Sequence, residues 1–304
     1  MSRSEPEKGE KAEVLEEKLA KHGYVILALA VVLTLFPLFW LFMTSIKPEA
    51  EWVSRPPTWI PTSLEFRNYW ILLTGGNYSP MGAAGQSSMI LTFTSVTPAL
   101  IDSAICTAGG TILSIVVGLL AAFGIARHKI GGNFLPLFVL SARMIPPVTA
   151  LIPIIILYST LHLIDTYIGI VMAYAVFTLP YSVWMIRSFI DEIPTQLEES
   201  AMVDGLSPLG AHFKVTLPLI RGGVMATALF ISVLNWSEFL LALTLTHEAI
   251  ITVPVKLTYF VASVAVLYGP QSALGIMAIV PLIVFGYAIQ RYLARGLTFG
   301  AVKR

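Results

Sequence analysis

The chain has 304 residues, of which 56% are hydrophobic and only 12% charged, and its mean hydropathy is +0.78. Too few polar residues remain to cover the apolar ones, which excludes a disordered chain, a nucleic-acid binder and an ordinary cytosolic enzyme. A net charge of +1 sets up no field for a polyanion, and the single cysteine, Cys106, excludes a disulfide framework or a thiolate metal cluster. What remains is a polytopic membrane protein, and its helix-length apolar runs make it an all-α membrane protein.

Residues 1–23 read as a cytoplasmic N-terminal tail. Within it, 9–21 mix helix formers with alternating charge, either as a solvated or surface-lying helix or as a partner-docking segment. A helix needs roughly 20 apolar residues to cross about 30 Å of hydrocarbon. Six stretches meet that length: 24–44, 99–126, 134–157, 167–186, 222–245 and 272–289, within a membrane domain of 24–289. The first follows a mixed-charge segment and has the length of a full span, so it reads as a span and not as a cleavable signal. Asp102, Arg143 and Glu238 fall in the second, third and fifth stretches.

With the N-terminus inside, the inside segments hold Lys8, Lys11, Lys18, Lys21, Arg127, Lys129, Arg187, Lys214, Arg221, Arg291 and Arg295 among others. The outside segments hold Lys47, Arg55, Arg67 and Lys256. That bias places both termini, including a tail of 290–304, in the cytoplasm. The outside loop of 46–98 carries Pro56, Pro57 and Pro61, which oppose a continuous helix, and Trp52, Trp59, Tyr69 and Trp70, which suit a membrane-interface cap.

The inside loop of 187–221 is the most informative segment. It reads as a helix, a glycine break and a second helix. Pro194 or Thr195 opens the first, with Glu198 and Glu199 in its early turns. Gly205 stands where that helix ends, since glycine accepts the left-handed conformation without a Cβ clash. Ser207 caps the second helix, Pro208 is its first residue, and Leu217-Pro218 is expected to end it just before the fifth span.

The order Glu199-Ser200-Ala201, three residues, Gly205, nine residues, Val215-Thr216-Leu217-Pro218 resembles the EAA signature of ABC-importer permeases. That signature is Glu-Ala-Ala, three residues, Gly, nine residues, Ile-x-Leu-Pro. Ser200 and Val215 are small departures from it. Ser45-Ile46-Lys47-Pro48, Pro57-Thr58-Trp59-Ile60-Pro61, Asn68-Tyr69, Arg143-Met144-Ile145-Pro146-Pro147, Asp165-Thr166-Tyr167-Ile168-Gly169 and the stretch from Arg295 to Lys303 are similar to the second permease subunit of the maltose-type carbohydrate uptake family. The likeness runs from about residue 24 onward and leaves out about 75–95.

This resemblance implies six transmembrane helices with a cytoplasmic helix-Gly-helix coupling loop. The implied partners are a second permease subunit, two cytoplasmic ATP-binding subunits, an extracytoplasmic solute-binding protein and membrane lipid, with no nucleic acid. Glu199, Ala201, Asp204, Gly205 and Pro218 would form the ATPase-coupling set; read without the resemblance, Glu199 is a favourable helix N-terminal charge and Gly205 a helix stop. Polar groups in hydrocarbon usually face an interior or a water-filled path, which makes Arg143, Asn235, Trp236 and Glu238 candidates for the translocation path. Arg143 precedes Pro146-Pro147, which break a helix and free backbone carbonyls that protein or a cavity must satisfy; it reads equally as a brace between helices. At helical spacing only two of Asn235, Trp236, Ser237 and Glu238 can face one cavity.

The chain has no Gly-x-x-x-x-Gly-Lys-Ser/Thr loop and no His-Glu-x-x-His, and its five histidines are scattered. No cofactor, metal or catalytic set is therefore expected, and ATP hydrolysis is expected on partner chains of a bacterial or archaeal plasma-membrane importer. The alternatives are the same architecture carrying a polyol, glycerol phosphate or amino acid, a membrane-embedded enzyme, and an ion channel.

Overall fold

The computed structural model describes residues 6–78, 91–132, 134–144, 146–261 and 266–299. The ends of the expected tails, 1–5 and 300–304, and residues 79–90 of the outside loop lie outside them. The elements are α1 (Pro6–Ile46), α2 (Arg67–Thr74), the antiparallel pair β1 (Gly76–Tyr78) and β2 (Leu91–Phe93), α3 (Thr97–His128), α4 (Phe134–Ser141), α5 (Pro147–Thr160), α6 (Tyr167–Asp191), α7 (Thr195–Val203), α8 (Pro208–Ala211), α9 (Leu217–Trp236), α10 (Leu240–Leu245), α11 (Val253–Thr258) and α12 (Tyr268–Phe299).

Five described helical segments are long and apolar enough to cross a bilayer: Gly23–Ile46, Thr97–His128, Tyr167–Asp191, Pro208–Trp236 and Tyr268–Tyr287. The stretch expected as a third span is divided at the expected proline break. It breaks into α4, a 3-10 turn at Ala142–Met144 and α5. Two consecutive prolines cause the break: neither Pro146 nor Pro147 has an N–H to donate, and each ring opposes a helical residue before it. Pro146 is accordingly extended, at φ −57° and ψ 128°. The fifth stretch also breaks, with α9 ending at Trp236 and α10 starting at Leu240. Glu238 Oε1 accepts the Leu241 N–H at 3.0 Å, so its side chain takes a donor that a continuous helix would direct to the backbone.

Local signals set the other ends. Pro98 lies in the first turn of α3, and Arg127 and His128 in its last turn favour the negative end of the helix dipole. The Thr166 side chain caps α6 through the Gly169 N–H at 3.1 Å.

The centre of the fold is the contact between α3 and α6. Ser114 and Ser182, both fully buried, share a hydrogen bond of 2.6 Å. One turn along α3, Gly118 lies so close to α6 that a Cβ there would stand 2.4 Å from the Ser182 Cβ. α9 packs on this pair, α12 on α9, and α1 on α12 through Leu41 against Gly275. By contrast, α1 turns Tyr24, Val25, Ile26, Val32 and Leu33 outward, each more than 60% exposed, a patch that suits hydrocarbon and not water.

At one end of the helices, 46–78 and 91–96 form a cap with α11 and the start of α12. Its core joins Ile71, Leu72, Val96, Val253, Phe260 and Leu274. Lys47, expected as an outside-loop charge, is instead buried: its ammonium lies 4.1 Å from the Trp40 ring centroid and donates to the Thr58 carbonyl. Trp52 Nε1 donates to the Lys47 carbonyl at 3.1 Å and Asn68 Nδ2 to the Ser45 carbonyl at 2.9 Å. Two carboxylates fasten the neighbouring loop. Asp102 accepts from Tyr167 Oη at 2.6 Å and from the Ile251 N–H at 3.0 Å. Asp165 accepts the N–H groups of His247, Glu248, Ala249 and Ile250 at 2.9–3.2 Å. Burial pushes the Asp165 carboxyl up, but these bonds, with Ala249 foremost, outweigh it and hold it below the usual carboxylate range.

Candidate functional site

Two regions gather the residues singled out in the sequence. The first is the segment from α7 through the start of α9. Its glycine break is a full Schellman motif: the Gly205 N–H donates to Met202 O at 3.0 Å and the Leu206 N–H to Ala201 O at 3.1 Å. Gly205 adopts φ +94°, with no atom within 4 Å of where a Cβ would stand. Ser207 then caps α8 by accepting the Gly210 N–H at 3.1 Å, with Pro208 as the first residue of the helix.

Leu217-Pro218 does not end the second helix. The helical path continues from Pro208 to Trp236 through a π turn at His212–Thr216, where the Leu217 N–H donates to His212 O. Pro218 has no N–H for the residue 214 carbonyl, and the wider π turn accommodates that missing bond without a break. Pro218 is exposed in the first turn of α9.

Glu199, Asp204 and Gly205 are exposed on this segment, and Ala201 is half-buried. Glu199 lines a cleft of about 150 Å3 together with Thr195 and Met202 of α7, and Phe123 and His128 of α3. Its neighbour Glu198 and Arg127 line the same cleft, but Glu198 is buried, at 6% exposed. One carboxylate oxygen accepts from Arg127 Nε at 2.9 Å, and the other accepts from Thr216 Oγ1. Arg127 Nη2 also donates to the Ile193 carbonyl at 2.8 Å. His212, fully buried, stacks on Phe123 with ring centroids 3.9 Å apart. Sequence reasoning treated Glu198 only as a helix-start charge and Arg127 only as a topology marker. Their pairing spans 71 residues, and no local pattern announces it.

The second region is interior. Asn235 and Glu238 line one cleft of about 80 Å3 with Tyr174, Thr178, Pro147 and Leu241. Asn235 Nδ2 donates to Thr111 Oγ1 at 3.2 Å, and Tyr174 Oη donates to the Glu238 carbonyl at 3.3 Å. The break after α9 thus opens beside the break before α5, as Glu238 and Pro147 share one wall. Trp236 faces elsewhere, with Nε1 donating to the Ala278 carbonyl of α12 at 3.0 Å. Arg143 lies in the 3-10 turn between α4 and α5, and its side chain is outside the described residues. Tyr174 was not singled out from the sequence, where it is one aromatic among many on an apolar helix.

Residues 114–299 match the family model described as "Binding-protein-dependent transport system inner membrane component". The chain is 32% identical over 289 residues to the trehalose transport system permease protein SugB of Mycobacterium tuberculosis, covering 93% of this chain and 98% of that one. It is 31% identical to the sulfoquinovosyl glycerol transport system permease protein SmoH of Agrobacterium fabrum, covering 92% and 93%. It is 29% identical to the trehalose/maltose transport system permease protein MalG of Thermococcus litoralis, covering 96% and 98%. In fold it is similar to a chain of a bacterial ABC transporter involved in the import of the polysaccharide alginate, with a TM-score of 0.70 at 19% identity over 91% of this chain and 97% of that one. The chain belongs to the family of binding-protein-dependent transport system inner membrane components, the membrane permeases of ABC importers.

Proposed function

We propose that this chain is one of two permease subunits of an ATP-driven carbohydrate importer in a bacterial or archaeal plasma membrane. It works with two cytoplasmic ATP-binding subunits and an extracytoplasmic solute-binding protein. It performs no covalent chemistry; ATP binding and hydrolysis on the partners drive alternating access. The observation that carries the reading is the α7–Gly205–α8 segment, which exposes Glu199, Asp204 and Gly205 and whose second helix runs on from Pro208 into α9. A push received on that surface is delivered beside the start of a membrane helix. The relatives named for trehalose and other sugar-containing solutes support carbohydrate as cargo.

In this reading six segments cross the bilayer. α1, α3, α6, α9 and α12 cross as helices, and α4 and α5 cross as a broken pair around Pro146 and Pro147. Freed backbone groups at such a break are tolerated only where protein or a cavity satisfies them, so the cleft shared by Pro147, Asn235 and Glu238 belongs to the path. The hydroxyl, amide and carboxylate groups of Tyr174, Asn235 and Glu238 are suited to sugar hydroxyls, and Arg143 stands at the same break.

The test is reconstitution of the complete importer in liposomes with its binding protein and a panel of solutes. A mono- or oligosaccharide is expected to stimulate ATP hydrolysis and enter the vesicle. Stimulation only by an amino acid, a polyol or glycerol phosphate would move the cargo to that class. Topology is tested separately: single cysteines replacing Gly76 and Gly132 are expected to react with an impermeant thiol reagent from opposite sides, Gly132 from the cytoplasm. Reaction of both from one side would overturn the six-span arrangement.

A further inference from the structure

The coupling segment is tied to the membrane helices at a point besides its covalent ends. Arg127, in the last turn of α3, donates through Nε to Glu198 on α7 at 2.9 Å and through Nη2 to the carbonyl of Ile193, just before α7, at 2.8 Å. One planar guanidinium thus holds both α7 and the chain that enters it. The second oxygen of Glu198 accepts from Thr216 in the π turn that leads into α9. The ion pair is shielded, with side chains 9% and 8% exposed, so water does not readily replace it. α3 in turn is locked to α6 by the Ser114–Ser182 bond and the close approach at Gly118.

The covalent attachments of α7 cannot do the same work. It hangs from α6 by Glu192, Ile193 and Pro194, and from α8 by the turn at Gly205. Rotation about these short hinges would absorb a sideways push on α7. A guanidinium donating two hydrogen bonds in one plane sets direction as well as distance, which a single-point contact does not.

We propose that Arg127 and Glu198 form a strut that carries displacement of α7 into the α3–α6 pair, and that without it ATP hydrolysis runs without moving solute. Both are positioning residues: Glu198 is buried at the base of the cleft it shares with Glu199, held by Arg127 and Thr216, whereas Glu199 is exposed. The inference rests on the proposed reading that α7 receives the push from the ATP-binding subunits.

The experiment uses the complete importer in liposomes, loaded with whichever solute stimulates it. Two quantities are read: the ATP-binding subunit that co-purifies with the chain, and the solute moved per ATP hydrolysed. Glu198→Gln keeps the size and an acceptor oxygen but removes the charge. It is expected to retain the ATP-binding subunit while solute moved per ATP falls about tenfold or more. A purely structural role would lower the amount of complex and leave that ratio normal, and this outcome overturns the proposal. A normal ratio in a normal amount of complex overturns it too.

A second variant replaces the ionic tie with a covalent one. Arg127→Cys with Glu198→Cys, joined by a short bifunctional thiol reagent, is expected to recover a ratio that the unjoined form lacks. A joined form that stays uncoupled, or an unjoined form that is coupled, overturns the strut. Cys106, the single native cysteine, is buried and out of reach of the reagent. Glu199→Arg separates the two readings. Loss of the ATP-binding subunit in Glu199→Arg, together with a normal ratio in Glu198→Gln, removes the strut alone. Full retention in Glu199→Arg removes the docking reading beneath it.

Discussion

Gly205→Val is expected to give a normal amount of membrane-inserted chain with almost no solute uptake. No atom lies within 4 Å of the position a Cβ would take, so the side chain itself meets nothing. The defect is one of backbone: φ is +94°, and a β-branched residue there costs roughly 1–3 kcal/mol. That cost is small beside the packing of the membrane helices, but it falls on the turn that aims α7. Relief by rotation would break the Schellman bonds from Gly205 to Met202 and from Leu206 to Ala201. Glu199 and Asp204 would then move relative to the ATP-binding subunit. The measurements are membrane content by immunoblot, uptake, and ATP hydrolysis stimulated by the loaded binding protein. Normal uptake would refute the coupling assignment. Loss of the chain from the membrane would show that the turn is needed for folding instead.

Gly118→Leu is expected to have the opposite signature, a loss of the folded chain itself. Even a Cβ at this position would stand 2.4 Å from the Ser182 Cβ and 3.3 Å from its backbone carbonyl carbon. The second contact is backbone and cannot rotate away, so α3 and α6 must separate. Separation also breaks the fully buried Ser114–Ser182 bond and leaves hydroxyls without partners in an apolar interior. Gly118→Ala is expected to cost about 1–3 kcal/mol, as overpacked cores do, and the leucine more. Thermal aggregation of the detergent-solubilised chain would show a lowered midpoint for alanine and little recoverable protein for leucine. Gly286→Ala, in α12 with nothing within 4 Å, is the matched control and is expected to leave the midpoint unchanged. A Gly118→Leu chain as stable as the parent would mean that α3 and α6 are not packed as described.

Much of this molecule follows from residues close together in the chain. Apolar run length marked the membrane segments, because a bilayer sets the length of any helix that crosses it. Ser207, Pro208 and Gly205 marked the two short helices and their turn, because capping and positive φ are settled within a few residues. Helical spacing limited the cluster of Asn235, Trp236, Ser237 and Glu238 to two residues on one cavity, but not to which two; the structure puts Asn235 and Glu238 on one cleft and turns Trp236 to Ala278. Pro146-Pro147 marked a break within the third stretch, and the structure divides it there into α4 and α5, because neither proline has an N–H to donate. Pro218 behaves otherwise. It reads as a stop, but the π turn at His212–Thr216 carries the helix past it.

The sequence by itself determined the membrane class, the apolar segments and the helix-Gly-helix form of the cytoplasmic loop, all properties of neighbours in the chain. Only the tertiary structure decided which of two adjacent glutamates is exposed. Glu198 is buried because Arg127, 71 residues away, and Thr216, 18 residues away, meet it there. It also decided that Lys47 lies under Trp40 and Thr58, that Asp102 and Asp165 fasten a loop far along the chain, and that Pro147 shares a wall with Glu238. Each of these depends on burial, and a charge or a broken helix is tolerated in a low-dielectric interior only when distant groups satisfy it.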